Sequence, residues 1–181
     1  HMGNWAELCA RERNYSREAQ DAVAVESYTR AQLAQKKGLF KNEIVPVSVP
    51  QKKGEPIRVS EDDEPGKANF KKIPSLRPAF EKNGTITAAN ASKINDGAAA
   101  LMITNSHILK DQNFKNPFQI ISQASTAQEP EWFTTAPIQA IKKVLKIAGL
   151  NAGDINLWEI NEAFAPVVMA AVDEFQLDWN C

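Results

Sequence analysis

The sequence predicts an α/β fold with a parallel sheet, because strand-like and helix-like segments alternate over the last third of the chain. Apolar runs at 118–124 and 154–160 have the length and composition of buried strands. The segment from Pro137 to Gly149 is typical of a helix, and so is 162–175. Strands that alternate with helices in this way favour a parallel sheet, where binding sites lie at the carboxyl ends of the strands.

The overall composition is that of an ordinary globular protein. Twenty-one basic and 22 acidic residues give a net charge of -1, and no run of like charges stands out. This balance favours neither a nucleic-acid partner nor a charged tail. The longest apolar stretches, 97–103 and 163–172, are too short to cross a bilayer, so we expect no membrane partner.

Cysteine and histidine are scarce. The chain contains Cys9 and Cys181, together with His1 and His107. These residues support neither a disulfide framework nor a zinc site, so we expect no such metal and a reducing compartment. They also offer little to a catalytic Cys–His or Ser–His pair.

Two helices are predicted near the beginning of the chain. Residues 5–13 predict a short helix, and a second runs from 17 to 37 with Ser16 as its N-cap and Gly38 after its end. The stripe that we expect this second helix to bury is made of small residues and one aromatic: Ala24, Ser27, Tyr28, Ala31 and Ala34.

The middle of the chain is polar. Residues 44–49 alternate as a strand does, and Pro46 favours an edge position. Residues 50–78 contain scattered Pro and Gly and dense charge, which indicates an excursion outside the core. The lysines at 67, 71 and 72 within it form either a solvated face or a cradle for a phosphorylated ligand.

A segment of small residues follows at 84–92. It begins as a strand and then loses every large side chain, so its backbone can approach either a neighbouring helix or a ligand. Residues 95–97 (Asn-Asp-Gly) predict a turn, and 98–103 predict a strand that is buried on both faces. Asn161 and Glu162 follow the strand at 154–160, where such a polar pair is satisfied by the fold or used by a site.

Six blocks of the sequence carry a resemblance to a known family. They are HMGNWAE at 1–7, SREAQDAVAVESYTRA at 16–31, GLFKNEIVPV at 38–47, LRPAF at 76–80, GTITAANASKINDGAAAL at 84–101 and WEINEAFA at 158–165. In this order and spacing they resemble the thiolases, in particular the mitochondrial acetoacetyl-CoA type. An unrelated α/β domain would require all six blocks to coincide by chance.

The resemblance implies an incomplete thiolase-like fold, with an inserted α+β loop domain and part of a βαβ layered half. Residues 3–92 resemble the CoA-binding loop domain, 93–115 the closing strand and helix of the N-terminal half, and 116–181 the first part of the C-terminal half. The family's nucleophilic cysteine, its Gly-His-Pro histidine and its late cysteine have no match here, so we expect the chain alone to be inactive. Cys9 and Cys181 receive no catalytic role.

The resemblance also implies roles for individual residues. Asn161 matches the asparagine that holds a water in the family's oxyanion hole, and Glu162 a supporting residue, although Asn161 could instead only cap the end of a strand. Residues that match the CoA and acyl pockets are His1, Met2, Tyr28, Lys67, Asn69, Lys72, Ala79, Phe80, Ala88, Ser92, Phe133, Ala163 and Phe164. The match of the first two favours a native origin over a cloning scar.

A bound cation is implied as well. Tyr28, Ala88, Ala89 and Ala91 match the positions that bind potassium in the mitochondrial type, through loop carbonyl oxygens and a tyrosine. We expect a monovalent cation to stiffen this loop over CoA, and no other metal.

The implied activity is that of an acetyl-CoA C-acetyltransferase, which interconverts two acetyl-CoA with acetoacetyl-CoA and CoA. The alternative is a non-catalytic CoA-binding or scaffold fragment with the same fold. For the full-length protein, the resemblance implies a homo-oligomer, a tetramer, in the mitochondrial matrix, with the cytoplasm as the alternative.

Overall fold

The computed structural model describes residues 1–111 and 116–180. Its α-helices are α1 (Met2–Glu12), α2 (Arg17–Lys37), α3 (Asp63–Lys67), α4 (Ser106–Asp111), α5 (Ala136–Ala148) and α6 (Ala165–Phe175). Its strands are β1 (Val47–Val49) and β2 (Ile57–Val59), and 3-10 helices cover Ile73–Ser75, Pro130–Thr135 and Ala152–Asp154.

Helix α2 has the ends that its sequence predicts. The Ser16 hydroxyl accepts from the backbone N–H of Ala19 at 3.1 Å, which satisfies one of the free donors of the first turn. At the other end Gly38 adopts φ +64°, and the N–H of Leu39 donates to the carbonyl of Ala34 at 3.0 Å. This left-handed turn closes the helix in the way that favours glycine.

The core forms around α6, which packs against α1, α2, α5 and the 130–135 turn. One cluster of buried residues joins α1 and the 84–92 segment to α6 through Ala6, Ile86, Phe164 and Val167. A second cluster joins α5 to α6 through buried side chains on both helices. Helix α6 therefore places the segment before it, 161–164, against the middle of the molecule.

Two glycines permit close approaches on which the fold depends. A Cβ on Gly84 would lie 2.1 Å from Oε1 of Glu7, and a Cβ on Gly3 would lie 2.3 Å from the ring of Phe80. The Glu7 carboxylate is buried and accepts from the N–H groups of Thr85 and Ile86. The carboxylate thus fixes the start of the 84–92 segment on α1.

The predicted strand at 44–49 is present in part. Its last three residues, β1, pair with β2 in an antiparallel hairpin in which Val47 faces Val59. Every residue of both strands is exposed, so the edge position that Pro46 favours is confirmed. The 50–78 region is polar and mostly exposed, as predicted, although it holds β2 and α3.

The predicted parallel sheet is the main correction. Segments 98–103, 118–124 and 154–160 are not strands, and neither is the start of 84–92. Within the described residues β1 and β2 make up the sheet, so these apolar segments have no neighbouring strand with which to share backbone hydrogen bonds. Leu101 and Phe118 are 91% and 98% exposed as a result.

Three smaller corrections concern helices. The first helix begins at Met2 rather than at residue 5, and the last begins at Ala165 rather than at 162. Of the stripe expected on α2, only Ala24 is buried, because the polar Gln20 and Asp21 occupy the inner face.

None of the helices in the described part of the chain combines the length and apolar composition that crossing a membrane requires.

Candidate functional site

Two segments that are far apart in sequence join at the proposed site. The N–H of Ser92 donates to the carbonyl of Ala163 at 3.0 Å, and the N–H of Ala165 donates to the carbonyl of Asn90 at 2.9 Å. Between these bonds Ala91 forms an antiparallel bridge with Phe164. The small-residue loop 88–92 and the 161–165 segment are thus held together by backbone hydrogen bonds.

Polar side chains inside the loop explain why it keeps this shape. The buried Asn90 accepts from the N–H of Thr87 at 2.8 Å and donates to the Thr85 carbonyl at 3.1 Å. Its amide also donates to Asp21 of α2 at 3.2 Å, and Arg17 donates to the same carboxylate at 2.7 Å. The polar inner face of α2 therefore anchors the loop.

A cavity of about 220 Å³ opens beside the junction. It is lined by α2, by Glu64 of α3, by the loop and by the start of α6. The lining residues are Val23, Ala24, Ser27, Tyr28, Glu64, Ala89, Asn90, Ala91, Ser92, Lys93, Asn95, Glu162 and Ala165. Small side chains leave the loop backbone accessible along one wall.

Three charged or polar side chains meet on one side of this cavity. The Lys93 ammonium donates to the Tyr28 hydroxyl, pairs with the Glu64 carboxylate at 3.2 Å and lies 5.1 Å from the centre of the Tyr28 ring. Hydrogen bonds from Lys93 and then from Lys67 lower the pKa of Glu64. This keeps the carboxylate charged at neutral pH.

The predicted catalytic pair lies on the 161–165 segment, and Asn161 is not among the residues that line the cavity. Glu162 lines the cavity and accepts from the Ser27 hydroxyl of α2 at 2.6 Å. Asn161 is exposed, and its carbonyl accepts from the N–H of Ala163 at 3.0 Å. The 154–160 segment before it is not a strand, so the alternative role of Asn161 as a strand-end cap does not apply here.

The predicted acyl-pocket residues form an aromatic cluster next to the junction. Phe80 stacks on His1 at 4.9 Å between ring centres and meets the edge of Phe164 at 6.0 Å. Phe133 packs against Phe164 from the other side at 6.2 Å. Ala163 is half-buried in the same cluster. The structure therefore brings these predicted residues together on the Phe164 side of the bridge.

Other members of the predicted set are mostly exposed. His1 also accepts from the N–H of Gly3 at 3.1 Å and so caps α1, while the neighbouring Met2 is 49% exposed. Ala79 is exposed and donates its N–H to the Ile86 carbonyl at 2.8 Å. Ala88 is exposed on the loop.

Of the residues predicted for the adenine and phosphate end of CoA, Tyr28 lines the cavity, whereas Lys67, Asn69 and Lys72 do not. Lys67 is 61% exposed and pairs with Asp63 and Glu64 at 3.3 Å each. Asn69 and Lys72 are exposed on the turn that follows α3, where the N–H of Lys72 donates to the Asn69 carbonyl at 2.9 Å. Of these residues, Lys67 contacts the cavity lining through Glu64.

Four residues of this site were not predicted: Ser27 as a partner of Glu162, Glu64, Asn90 and Lys93. Only the lysine carried a usable signal, since it is a charged residue that directly follows a run of small ones. The others depend on how α2 and α3 pack, which local sequence does not report.

The predicted potassium ligands match the structure only in part. Tyr28, Ala89 and Ala91 all line the cavity, but the Tyr28 hydroxyl already accepts from the Lys93 ammonium. A metal ion at this oxygen would lie next to a fixed positive charge, which disfavours it. No group of three or more His, Cys, Asp or Glu side chains suited to a metal occurs among residues 1–111 and 116–180.

Cys9 is a free cysteine in the core. Burial raises the pKa of its thiol, and contacts with Thr134 and Arg13 oppose this only in part. The thiolate is the nucleophilic form of cysteine, so Cys9 is a poor nucleophile at neutral pH. Cys181 lies outside the described residues.

Two family models match this chain. The N-terminal domain of thiolase matches residues 1–107 and the C-terminal domain of thiolase matches residues 114–181. The chain belongs to the thiolase family.

Acetyl-CoA acetyltransferases are among its relatives. The enzyme of Schizosaccharomyces pombe is 48% identical over 178 residues, which are 98% of this chain and 45% of that protein. The mitochondrial enzyme of Bos taurus is 46% identical over 98% of this chain and 42% of its own length. The cytosolic enzyme of Gibberella zeae is 47% identical over 94% of this chain and 43% of its own length. The chain thus spans less than half the length of these relatives.

Solved structures give the same result for the fold. An acetyl-CoA acetyltransferase of Bacillus anthracis matches with a TM-score of 0.93 at 34% identity, over 98% of this chain and 45% of its own. A thiolase of Ascaris suum in complex with coenzyme A matches with a TM-score of 0.82 at 40% identity over the same shares. The predicted fold, part of a thiolase fold, is confirmed, even though the strands predicted at 98–103, 118–124 and 154–160 are not formed.

Proposed function

We propose that this chain is the CoA-binding part of an acetyl-CoA C-acetyltransferase, which interconverts two acetyl-CoA with acetoacetyl-CoA and CoA. The observation that carries the proposal is the junction between loop 88–92 and segment 161–165 beside the cavity. A narrow wall of small side chains suits the pantetheine arm of CoA, and the aromatic cluster next to it suits an acyl group shielded from water.

We assign Asn161 and Glu162 to the catalytic side of this site. The Asn161 amide is neutral and exposed, so through a bound water it can donate to a thioester oxygen as negative charge develops there. Glu162 is held by the Ser27 hydroxyl at 2.6 Å. This contact fits a role for Glu162 in orienting neighbouring groups, rather than a role in proton transfer.

The residues that we assign to CoA and its acyl group fall into three sets. The pantetheine set is Ala88 and Ser92; the acyl and thioester set is His1, Met2, Ala79, Phe80, Phe133, Ala163 and Phe164; the adenine and phosphate set is Tyr28, Lys67, Asn69 and Lys72. The last set is the weakest on geometry, because Lys67 is paired with two carboxylates. Its binding of phosphate would require one of these pairs to open.

The domain boundaries remain part of the proposal: a CoA-binding loop domain at 3–92, the closing strand and helix of the N-terminal half at 93–115, and the first part of the C-terminal half at 116–181. Helix α4 lies within the middle unit, 98–103 is not a strand, and residues 112–115 and 181 lie outside the described residues. The reactive thiolate of the reaction is not Cys9, which is buried and protonated at neutral pH.

A second candidate function is a non-catalytic CoA-binding or scaffold fragment. The relatives that match 98% of this chain are acetyl-CoA acetyltransferases, and they do not favour it. Both candidates predict that the purified chain alone does not catalyse, so turnover in a thioester exchange assay would contradict our exclusion of Cys9.

Three further properties belong to the proposal: the compartment, the oligomeric state and the cation. Relatives include mitochondrial and cytosolic acetyltransferases, and we propose the mitochondrial matrix on the strength of the sequence blocks quoted above. For the full-length protein we propose a homo-oligomer, a tetramer. We also propose that a monovalent positive charge lies at the loop. If that charge is a potassium ion, the residues that would hold it are Tyr28, Ala88, Ala89 and Ala91.

Titration calorimetry with CoA tests the proposed function. Replacing Ser92 by Trp fills the cavity beside the loop, so we expect CoA to bind about tenfold more weakly or worse. Ser60→Trp is the matched control, because Ser60 is exposed next to the hairpin and away from the cavity. Equal CoA affinity in Ser92→Trp and the parent chain would contradict the proposal.

A further inference from the structure

Lys93 is the first residue after the loop, and its side chain reaches two other elements. Its ammonium contacts the Tyr28 hydroxyl of α2 and the Glu64 carboxylate of α3. It also lies near the Tyr28 ring, where a cation is attracted by the negative face of the aromatic system. One positive charge therefore ties the loop, α2 and α3 together.

The charges around the cavity favour such a cation. Glu64 and Glu162 bring two carboxylates to the cavity wall, and Lys93 is the one basic residue among those that line it. Burial acts to lower the pKa of Lys93, but the hydrogen bonds to Tyr28 and Glu64 outweigh it and the pKa lies above its ordinary value. Lys93 is thus positively charged at neutral pH.

A soluble metal ion would compete with this charge for the same oxygen. A potassium ion on the Tyr28 hydroxyl would lie beside the ammonium and be repelled by it. The Lys93 ammonium is attached to the chain, so it occupies the position without the loss of translational freedom that a free ion suffers on binding.

We propose that the Lys93 ammonium is the protein's own monovalent cation at this site and fastens the 88–92 loop to α2 and α3 in place of a bound metal ion. The inference concerns the cavity of the proposed function, and it makes the stability of the loop independent of potassium. It assigns to Lys93 a positioning role, through the loop, rather than a contact with the reacting atoms.

Thermal unfolding of the chain in two salts tests this inference. Potassium chloride is compared with N-methylglucamine chloride at equal ionic strength, since the organic cation is too large to take the place of potassium at the loop. For the parent chain we expect midpoints that agree within about 1 °C. For Lys93→Met, which keeps an unbranched side chain one atom shorter and removes its charge, we expect a fall of about 3 °C or more in the organic salt, and a partial recovery in potassium chloride.

Two variants complete the design. Lys67→Met removes another lysine that pairs with Glu64 but not with Tyr28, so we expect it to unfold at the same temperature in both salts. Lys93→Arg keeps the charge, so we expect its unfolding temperature to be the same in both salts. This measurement can be made even if Lys93→Met does not fold.

Three results would overturn the inference: a parent chain that potassium stabilises, a Lys93→Met variant as stable as the parent, or a Lys93→Met loss that is equal in the two salts. None of these measurements involves CoA. If CoA does not bind but the unfolding temperatures respond to the two salts as expected, the result therefore counts against the proposed function alone.

Discussion

At the scale of single residues, the fold depends on contacts that no sequence pattern shows. The Glu7 carboxylate accepts from the backbone of Thr85 and Ile86, 78 and 79 positions away. No sequence pattern indicates this role of Glu7, since a lone glutamate in a helix is usually solvated. Gly84 is needed only because the carboxylate comes so close.

The Gly84→Ala variant tests this contact. The new methyl group would lie 2.1 Å from Oε1 of Glu7, so the carboxylate must move from its backbone donors. We expect the free energy of unfolding to fall by about 1–3 kcal/mol in urea denaturation. Gly66→Ala is the control, because a Cβ there meets open space, and it should change stability by no more than about 1 kcal/mol. Equal effects of the two substitutions would contradict the assigned role of Glu7.

At the scale of elements, helices were predictable and strands were not. The ends of α2 depend on Ser16 and Gly38, which act on their own neighbours, so local sequence carries the whole signal. A strand needs a second strand beside it, and in the described residues segments 98–103 and 118–124 have none. Both segments are apolar, as the sequence shows, but the buried strands that this composition predicts are not formed.

The N-cap of α2 gives a prediction at this scale. Replacing Ser16 by Ala leaves the Ala19 N–H without its side-chain acceptor, so we expect the chain to lose about 1 kcal/mol of stability. Ser60→Ala is the matched control on an exposed residue outside any helix, and we expect no measurable change there. Denaturant unfolding followed by circular dichroism measures both, and an unchanged midpoint for Ser16→Ala would refute the cap.

At the scale of the whole molecule, the exposed apolar segments have a direct consequence. Ile94, Leu101 and Phe118 are each at least 91% exposed, and contiguous apolar surface promotes association. We therefore expect the isolated chain to self-associate and to bind a hydrophobic dye. Sedimentation measured over a range of concentrations tests this, and a monomer at every concentration with no dye binding would disprove it.

The site was predictable in outline at this same scale. The motifs located the loop and the Asn161–Glu162 pair, and the structure brings the two segments into contact. The sequence led us to expect a free monovalent cation at the loop. In the structure the Lys93 ammonium contacts the Tyr28 hydroxyl instead. The difference arises because the reach of a lysine across three elements depends on their packing, which is fixed only in the folded chain.

Hydrogen–deuterium exchange with and without CoA measures most directly whether the two joined segments are walls of one CoA site. We predict slower exchange on CoA binding in peptides that cover 88–92 and, together with them, in peptides that cover 161–165. Protection of only one segment, or of neither at a CoA concentration that saturates binding, would contradict the account.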